Sequence, residues 1–261
     1  MSTTALVRRP SPRLHEGIVT HIEREPVDVS LAAEQWEGYV AALCSSGWQA
    51  VEVPPAEDCP DSAFVEDTMV VLGDRAVIAR SGTPERRPET TAAEQTVSGL
   101  GYDVHRISAP GTLDGGDILK VGDVVYVGRG GRTNGEGVRQ LRAVFSPLGV
   151  RVVAVPLTKV LHLKTAVPAL PDGTVIGWPP ALDDPGFFPH FRAMPEESGA
   201  HVVVLDQERL LIAADAPRSA DLLADLGYLP VPVDISEFEK LEGCVTCLSV
   251  RLRQVPSSAL G

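Results

Sequence analysis

The sequence has no stretch of eighteen consecutive apolar residues, which is about the length that a helix needs to cross a bilayer. Its first ten residues carry two arginines, Arg8 and Arg9, but no apolar segment of seven or more residues follows them. A secretory signal needs such a segment behind its basic residues. We therefore expect neither a membrane partner nor export, and a cytoplasmic location is the default expectation.

Cysteine and aromatic residues are both scarce. The chain of 261 residues has four cysteines, and phenylalanine, tryptophan and tyrosine together make up 5% of it. In the absence of an export signal, cysteines at this density are typical of free thiols in a reduced compartment rather than of a disulfide framework. We therefore expect all of the cysteines to be free.

Basic residues are outnumbered by acidic ones. Lysine and arginine total 23 against 35 aspartate and glutamate residues, which gives a formal net charge of -12 at pH 7. Such a charge repels the phosphate backbone of nucleic acids unless basic residues cluster locally, and the sequence has no run of lysine and arginine. We therefore expect no nucleic-acid partner. The acidity favours solubility, and it also suits a cationic small-molecule substrate.

Apolar residues make up 44% of the chain and charged residues 22%, a composition typical of a soluble globular protein with a substantial core. The length is comfortable for one large α/β unit. We therefore predict a single domain over residues 1–261.

Two local patterns recur along the chain. In the first, an amphipathic, helix-like segment ends in a glycine and a short strand follows; the glycines are Gly47, Gly101, Gly149 and Gly227. Glycine suits the left-handed conformation that closes a helix. In the second, two strands are joined by a tight turn, and the turns are predicted at residues 73–74, 122–123, 171–173 and 207–208.

The first three hairpins begin at Asp67, Asp117 and His162, at intervals of 50 and 45 residues. Self-similarity at this period indicates radial or stacked repeats rather than one open sheet. The unit is hairpin, helix, strand, and about five units fit if a last strand over residues 246–253 pairs with a first strand over residues 5–9. We therefore predict an α/β fold, a propeller of five blades around a central axis without loose sheet edges.

In such a propeller, the ends of the first hairpin strands converge on the axis. The residues predicted at these ends are Asp67, Asp114, His162 and Cys247. A carboxylate, an imidazole and a thiol in one place indicate covalent catalysis.

Cys247 is the candidate nucleophile, in the segment Gly243-Cys244-Val245-Thr246-Cys247-Leu248-Ser249 at the edge of a predicted apolar strand. The alternative is a small buried apolar residue, as free cysteines often are. Cys244 and Cys247 also form a C-x-x-C pair, which suits redox exchange or half of a zinc site. A structural zinc site would need a second close pair, and Cys44 and Cys59 are 15 residues apart, so we do not expect zinc.

His162 lies between two leucines in a predicted strand, so its side chain should point to the opposite face from theirs. The alternative is a histidine buried in the core whose ring nitrogens are hydrogen-bonded and which has no role in a site. The segment 113–117, Leu-Asp-Gly-Gly-Asp, is a generic turn sequence. Its glycines would equally let the backbone crowd a ligand that Asp114 or Asp117 faces, and the sequence leaves both interpretations open.

Residues 61–67 concentrate three carboxylates, Asp61, Glu66 and Asp67, around Phe64 and directly before an apolar strand. A solvated loop is the simple explanation. Paired carboxylates also suit a guanidinium, whose planar fork of donors they match.

Arg86, Arg87 and Arg132 are most simply exposed charges. Arginine is also the residue suited to gripping a carboxylate ligand. Carboxylates for a guanidinium and arginines for a carboxylate together describe a site for an arginine-like zwitterion.

At these residues the chain resembles the dimethylarginine dimethylaminohydrolases, a family of the guanidino-group-modifying superfamily whose fold, the pentein, is a five-bladed α/β propeller. The resemblance covers nearly the whole chain. It is carried by six segments in the same order: residues 60–67, 84–87, 113–119, 132–134, 161–164 and 245–249.

The resemblance implies the catalytic residues. Cys247 would be the nucleophile, His162 the general acid and base, and Asp114 the carboxylate that orients the histidine and the substrate. Cys244 matches no catalytic position, so we interpret it as a packing residue.

The resemblance also implies the substrate contacts. Asp67, helped by Glu66, would hold the guanidinium, and Asp61 would bind the α-amino group. Arg86 and Arg132 would clamp the α-carboxylate. The remaining substrate-binding positions are Ile18 and Leu241, near which backbone carbonyls would complete the amino-group pocket, and Phe64.

The implied reaction is hydrolysis of Nω-methylated arginine, as asymmetric dimethylarginine or monomethylarginine, to citrulline and dimethylamine or methylamine through a thiouronium on the cysteine. No cofactor and no metal are implied, and a homodimer is compatible with the pattern. Two alternatives stay open: an arginine deiminase-like hydrolase that releases ammonia, and a non-catalytic thiol-binding or redox module. Arginine deiminases and amidinotransferases generally have longer chains, and agmatine deiminases have no need of arginines for a carboxylate.

Overall fold

The computed structural model describes residues 3–253. Residues 1–2 and 254–261, the two ends of the predicted domain, lie outside the described residues. The described chain forms five small sheets, of which four have three strands and one has two. The number of sheets equals the number of blades predicted from the sequence repeat.

The elements are short and alternate along the chain. The strands are β1 (Thr4–Val7), β2 (Gln49–Glu52), β3 (Met69–Leu72), β4 (Arg75–Ile78), β5 (Asp103–Arg106), β6 (Ile118–Val121), β7 (Val124–Arg129), β8 (Arg151–Pro156), β9 (Val175–Gly177), β10 (Phe191–Ala193), β11 (Val202–Val204), β12 (Arg209–Ala213), β13 (Leu229–Val233) and β14 (Val250–Leu252). The α-helices are α1 (Val29–Ser45), α2 (Thr90–Gly99), α3 (Gly135–Phe145), α4 (Leu163–Ala166), α5 (Pro217–Asp225) and α6 (Ser236–Glu239).

Three units follow the predicted order of hairpin, helix and strand without change. They are β3 to β5 with α2, β6 to β8 with α3, and β11 to β13 with α5. In each unit the first two strands pair antiparallel and the third pairs parallel with the second. A parallel pair needs a crossover connection, which the helix supplies.

The first and last strands of the described chain close the ring. β14 pairs antiparallel with β1, with Thr4 opposite Leu252, and β2 pairs parallel with β1. This pairing confirms the predicted closure, but the last strand is shorter than predicted. It begins only at Val250, because residues 245–248 form turns.

The fourth unit departs from the prediction. Its two strands, β9 and β10, pair parallel, and the hairpin predicted over residues 162–177 is reduced to one isolated bridge between Ala169 and Val175. The arm that should have formed the first strand contains the helical residues of α4, and Pro168 in the same arm has no N–H to donate to a ladder. The predicted turn is present, with Gly173 at φ 87°.

The helix ends follow the predicted glycines. Gly47, Gly101, Gly149 and Gly227 have φ values of 88°, 84°, 79° and 91°, the left-handed region that disfavours side chains. At its start, α1 is capped by Asp28, whose carboxylate accepts two backbone N–H bonds from the first turn at 2.9 and 3.0 Å.

Apolar side chains fill the spaces between neighbouring units. Leu141 and Phe145 of α3 are fully buried against strands β3, β4, β6, β7 and β8. Burying one such side chain stabilises the fold by roughly 1.5–3 kcal/mol. The ring of Tyr126, in β7, packs edge to face against the ring of Phe188, which precedes β10, with centroids 5.1 Å apart.

Within residues 3–253, no helix combines the length and the apolar character that crossing a membrane requires.

The first strands of the units surround a central cavity of about 440 Å³, whose lining includes Val70, Leu119, Val203 and Val250. Three of the candidate site segments come directly before these strands: residues 65–68 before β3, 115–117 before β6, and 244–249 before β14. The topology therefore brings together segments that are far apart in the sequence.

Candidate active site

Most of the predicted site residues line one small cavity. Nine of the eleven do so: Ile18, Asp61, Phe64, Asp67, Arg86, Arg132, His162, Leu241 and Cys247. Leu161, Glu242 and Gly243 complete the lining. The cavity is only about 10 Å³ in volume, room for about one water molecule, so the site is closed in this structure.

Cys247 lies in a turn rather than in the predicted strand. Its backbone N–H donates to the carbonyl of Cys244 at 3.0 Å, and its own carbonyl accepts from the N–H of Glu66 at 3.1 Å. The strand prediction fails here because this turn carries the chain into β14. The Cys247 side chain is 6% exposed and faces the cavity.

His162 also lies outside a strand, as the extended residue directly before α4. Asp117 explains the departure, because its Oδ1 accepts the N–H of Leu163 at 3.0 Å and so holds the start of the helical turn. The buried imidazole contacts two carboxylates. Its Nε2 is 3.1 Å from Asp114 Oδ2, and its Nδ1 is 3.7 Å from Asp67 Oδ1.

Asp114 does not line the cavity but lies fully buried behind His162. Its Oδ1 accepts the N–H of Gly82 at 3.3 Å, and its own N–H donates to Thr133 Oγ1 at 3.2 Å. Thr133 in turn donates to Asp117 Oδ2 at 2.5 Å. These bonds fix the carboxylate that holds the imidazole.

The two glycines after Asp114 permit a close approach of backbone to side chains. A Cβ on Gly115 would lie 2.0 Å from the carbonyl oxygen of Glu66. A Cβ on Gly116 would lie 2.6 Å from Asp67 Oδ1 and 2.7 Å from His162 Nδ1. The glycines therefore let this segment pack against two of the candidate site residues, beyond forming a generic turn.

The carboxylates set the protonation state of His162. Burial alone would lower the pKa of His162, but the charge of Asp67 and the hydrogen bond to Asp114 raise it to about 9, with a further contribution from Asp117. The ring is therefore protonated at neutral pH. Burial opposes ionisation of Asp67 too, yet His162 and Arg86 lower the pKa of Asp67 to about 2.

Arg86 is buried among carboxylates. Its Nη1 donates to Asp67 Oδ2 at 2.7 Å, and its Nε and Nη2 donate to the two oxygens of Glu89 at 3.0 and 2.8 Å. Glu89 was missed by the sequence reasoning. Its position three residues after Arg86, on the same helical turn, is the signal that could have found it.

Arg132 differs from Arg86 because one of its donors is unsatisfied. The side chain is 8% exposed, and Nη1 lies 3.5 Å from Asp114 Oδ2 but has no hydrogen-bond partner among the described residues. A buried donor without a partner costs about 1–3 kcal/mol, so this atom is suited to donating a hydrogen bond to a ligand oxygen.

Asp61 and Ile18 form another part of the cavity wall. The carboxylate of Asp61 accepts the backbone N–H of Ile18 at 3.1 Å. Burial raises the pKa of Asp61, against the attraction of Arg86, because the charged form loses its hydration. A cation bound beside this carboxylate would relieve that cost.

Glu66 lies apart from the cavity and faces the central cavity of the propeller instead. Its carboxylate binds three donors at 3.0, 2.7 and 2.5 Å, namely Thr246 Oγ1, Arg251 Nη2 and Lys164 Nζ. Its contact with Thr246 supports the turn that carries Cys247. The sequence did not predict that Thr246 and Arg251 bind Glu66, although both lie within four residues of Cys247 in the chain.

A loop near the N-terminal end, here called the cover, contributes Ile18 to the cavity wall and is bonded to Glu242 of the same wall. The carboxylate of Glu242 accepts the backbone N–H groups of Thr20 and His21 at 2.8 and 2.6 Å. Glu242 itself has φ 60°, the left-handed region that is unusual for a residue with a side chain. These contacts join residues more than two hundred positions apart and attach the cover to the cavity wall at Glu242.

Asp67, Asp114 and His162 could also present three ligand atoms within 4.8 Å of one another to a metal ion. Both carboxylates already lie against arginines, at Arg86 and Arg132. A histidine must be neutral to bind a metal, whereas the raised pKa keeps His162 protonated at neutral pH. The arrangement therefore suits an organic ligand better than a metal.

Comparison with known proteins agrees with this geometry. The family model of arginine deiminase matches residues 50–210. The N(G),N(G)-dimethylarginine dimethylaminohydrolase of Streptomyces coelicolor is 65% identical over 97% of this chain and 98% of its own length. The enzyme of that name from Pseudomonas aeruginosa is 38% identical over 94% of this chain and 98% of its own length.

The chain belongs to the dimethylarginine dimethylaminohydrolase family. It is therefore an enzyme of a hydrolase family. A solved structure of the Pseudomonas aeruginosa dimethylarginine dimethylaminohydrolase, a serine-for-cysteine variant complexed with citrulline, has a TM-score of 0.90 at 36% identity and covers 97% of this chain and 100% of that chain. The predicted five-bladed pentein fold is thereby confirmed.

A more distant structure shows the same fold. The N-terminal domain of ArgZ, a cyanobacterial arginine dihydrolase in a substrate-bound form, has a TM-score of 0.82 at 21% identity and covers 96% of this chain and 98% of that chain. At this identity the structural similarity shows only that the fold is shared.

Proposed function

We propose that this protein hydrolyses asymmetric dimethylarginine and monomethylarginine to citrulline and dimethylamine or methylamine, with Cys247 as the nucleophile. The observation that carries the proposal is the closed cavity where Cys247, protonated His162 and ionised Asp67 meet. The same activity is supported by the 65% and 38% identical relatives, which are named as dimethylarginine dimethylaminohydrolases.

The guanidinium binds at Asp67. This carboxylate is held in place by the N–H of Gly116 at 2.9 Å and by Arg86 at 2.7 Å, and its lowered pKa keeps it charged. A guanidinium about 4 Å away gains about 4 kcal/mol at an effective dielectric constant near 20. Phe64, packed edge to face on Phe238 at 6.2 Å, supplies an apolar wall for the aliphatic chain.

The amino-acid end of the substrate binds to the polar walls. Arg132 offers its unpaired Nη1 to the α-carboxylate. Arg86, whose donors are already taken by Asp67 and Glu89, contributes mainly its charge. Asp61 receives the α-amino group, with the backbone near Ile18 and Leu241 completing that pocket.

The reaction follows from these charges. When the cationic substrate binds, it and protonated His162 stabilise the thiolate of Cys247, whose proton passes to solvent, and the thiolate attacks the guanidinium carbon. His162 gives its proton to the departing amine, then takes a proton from water, and the resulting hydroxide attacks the thiouronium carbon. The thiolate then leaves, the proton of the added hydroxyl passes to solvent, and citrulline is released. Asp114, which touches Nε2 of the imidazole, keeps the ring oriented through both transfers.

Substrate access requires the cover to open, because about 10 Å³ does not hold an amino acid. The bonds from Glu242 to Thr20 and His21 are the contacts that must break and re-form in each turnover. Closure excludes water from the charged groups and strengthens their interactions.

The wider proposal is a small-molecule enzyme of the cytoplasm without nucleic-acid or membrane partners. All four cysteines are free, which supports a reduced compartment. A homodimer is part of the proposal, and the particle mass from light scattering would test it.

A substrate screen tests the activity. The purified protein is given asymmetric dimethylarginine, monomethylarginine and arginine, while citrulline, methylamines and ammonia are measured. We expect citrulline and dimethylamine in equal amounts from dimethylarginine, and loss of both in Cys247→Ser. Ammonia from arginine at comparable efficiency would instead support the deiminase alternative that the matching family model raises.

A further inference from the structure

Cys244 and Cys247 are in direct contact. Their sulfur atoms are 3.4 Å apart, and the turn that joins them is closed by the N–H of Cys247 on the carbonyl of Cys244 at 3.0 Å. A turn of this kind keeps its end Cα atoms within about 7 Å, the range in which a disulfide can form. The sulfurs need to approach by only about 1.4 Å to reach bonding distance.

One of the two sulfurs ionises readily. The hydrogen bond from Cys247 lowers the pKa of the Cys244 thiol to about 5, against the opposing effect of burial. The same bond raises the pKa of Cys247. A hydrogen bond between the two sulfurs thus favours ionisation of one of them, and a thiolate is the form from which thiol oxidation proceeds.

The two cysteines differ in access. Cys247 lines the site cavity, whereas Cys244 is 3% exposed behind it and contacts Thr246 Oγ1 at 3.3 Å. A small oxidant that enters by the route of the substrate therefore meets Cys247 first. The site cavity excludes larger reagents from Cys244.

We propose that Cys244 is a resolving cysteine, so that a peroxide converts the Cys244–Cys247 pair into a reversible disulfide that blocks the nucleophile. The loss of activity in this inference rests on the proposed function of Cys247. The covalent change itself does not depend on the substrate.

The chemistry balances with hydrogen peroxide as the oxidant. The proton of Cys247 passes to Cys244, and the Cys247 thiolate attacks the O–O bond to give a sulfenic acid and hydroxide, which removes the proton of Cys244 as water. The Cys244 thiolate then attacks the Cys247 sulfur, the S–OH bond breaks, and a second hydroxide leaves and is protonated by solvent. Overall, two thiols and one peroxide give one disulfide and two waters.

The test follows both mass and activity in the full-length protein. Wild type, Cys244→Ala and Cys44→Ala are exposed to equal hydrogen peroxide, alkylated, and cut with trypsin. Trypsin cuts after Lys240 and after Arg251, so both cysteines fall in one peptide, residues 241–251. Cys44 is exposed on α1, and its variant is the matched control.

In wild type and Cys44→Ala we expect this peptide to lose about 2 Da and to resist alkylation, activity to fall about tenfold or more, and dithiothreitol to restore both. In Cys244→Ala we expect sulfinic acid at Cys247, a gain of about 32 Da, and no recovery with dithiothreitol.

Two results would overturn the inference: equal recovery in Cys244→Ala and wild type, or sulfinic acid instead of a disulfide in wild type. The mass result separates this inference from the proposed function. If the reduced protein shows no methylarginine turnover but peroxide still forms the disulfide, the proposed function is wrong and the proposed modification is supported.

Discussion

Replacement of Asp67 by asparagine should change the proton affinity of His162 more than its position. Asp67 Oδ1 lies 3.7 Å from His162 Nδ1, and its charge is the main cause that raises the pKa of this histidine to about 9. Asparagine keeps the size of the side chain and removes the charge. The imidazole should then lose protons at lower pH.

The magnitude follows from Coulomb's law. Two unit charges 3.7 Å apart interact by about 4 kcal/mol at an effective dielectric constant near 20, which corresponds to roughly three pH units. The pKa of His162 in Asp67→Asn should therefore fall from about 9 toward its ordinary value of 6.5. The fraction of enzyme that carries the acid at neutral pH then falls, and guanidinium binding weakens at the same time.

The assay is an NMR titration of the imidazole signals in resting enzyme labelled at histidine. The chain has six histidines, so His162→Gln assigns the signal. Glu89→Gln is the matched control, because it removes a buried carboxylate that contacts Arg86 rather than the imidazole. In that control the His162 pKa should stay near its wild-type value.

A His162 signal that still titrates near pH 9 in Asp67→Asn would refute this electrostatic account. A parallel profile of kcat/KM against pH should show the loss of activity at high pH moving to lower pH in the same variant. If activity at neutral pH were unchanged, Asp67 would not be the guanidinium ligand.

Three further predictions use other parts of the site. Arg132→Ala should raise KM about tenfold to a hundredfold with a smaller effect on kcat, because it removes the donor proposed for the α-carboxylate; Arg129→Ala is the control, and an unaltered KM would place the carboxylate elsewhere. Gly116→Ala should lower kcat about a hundredfold by displacing His162, whereas Gly131→Ala, where a Cβ meets nothing within 4 Å, should be silent; equal activities would contradict the steric argument. Because the folded-state pKa of His162 is raised, its contribution to stability is complete below about pH 6.5 and is lost as pH rises through about 9, a change of about 3 kcal/mol. Urea unfolding at pH 6 and pH 10 should show this loss in wild type and not in His162→Gln.

The repeat was readable from the sequence because it rests on local chemistry. Gly47, Gly101, Gly149 and Gly227 end helices at left-handed positions, a constraint that each glycine meets without help from distant residues. Once the units were recognised, the convergence of their inner ends followed from topology. The family resemblance then implied roles for the residues at those ends.

The failures involve contacts between distant residues. His162 was predicted on a strand, but Asp117 holds the start of a helical turn beside it from 46 positions away. The bonds of Glu242 to Thr20 span 222 positions. No local pattern signals either contact, so neither the true conformation at His162 nor the closed cover could be read from the chain.

The pairing of β1 with β14 has a consequence for biosynthesis. Cys247 and the strand that completes the first sheet are made after every other element of the described chain. The nascent polypeptide therefore carries its acids, arginines and histidine long before its reactive sulfur. Under the role proposed for Cys247, a chain that has not yet reached residue 247 has no nucleophile, and β14, which follows shortly after, closes the ring.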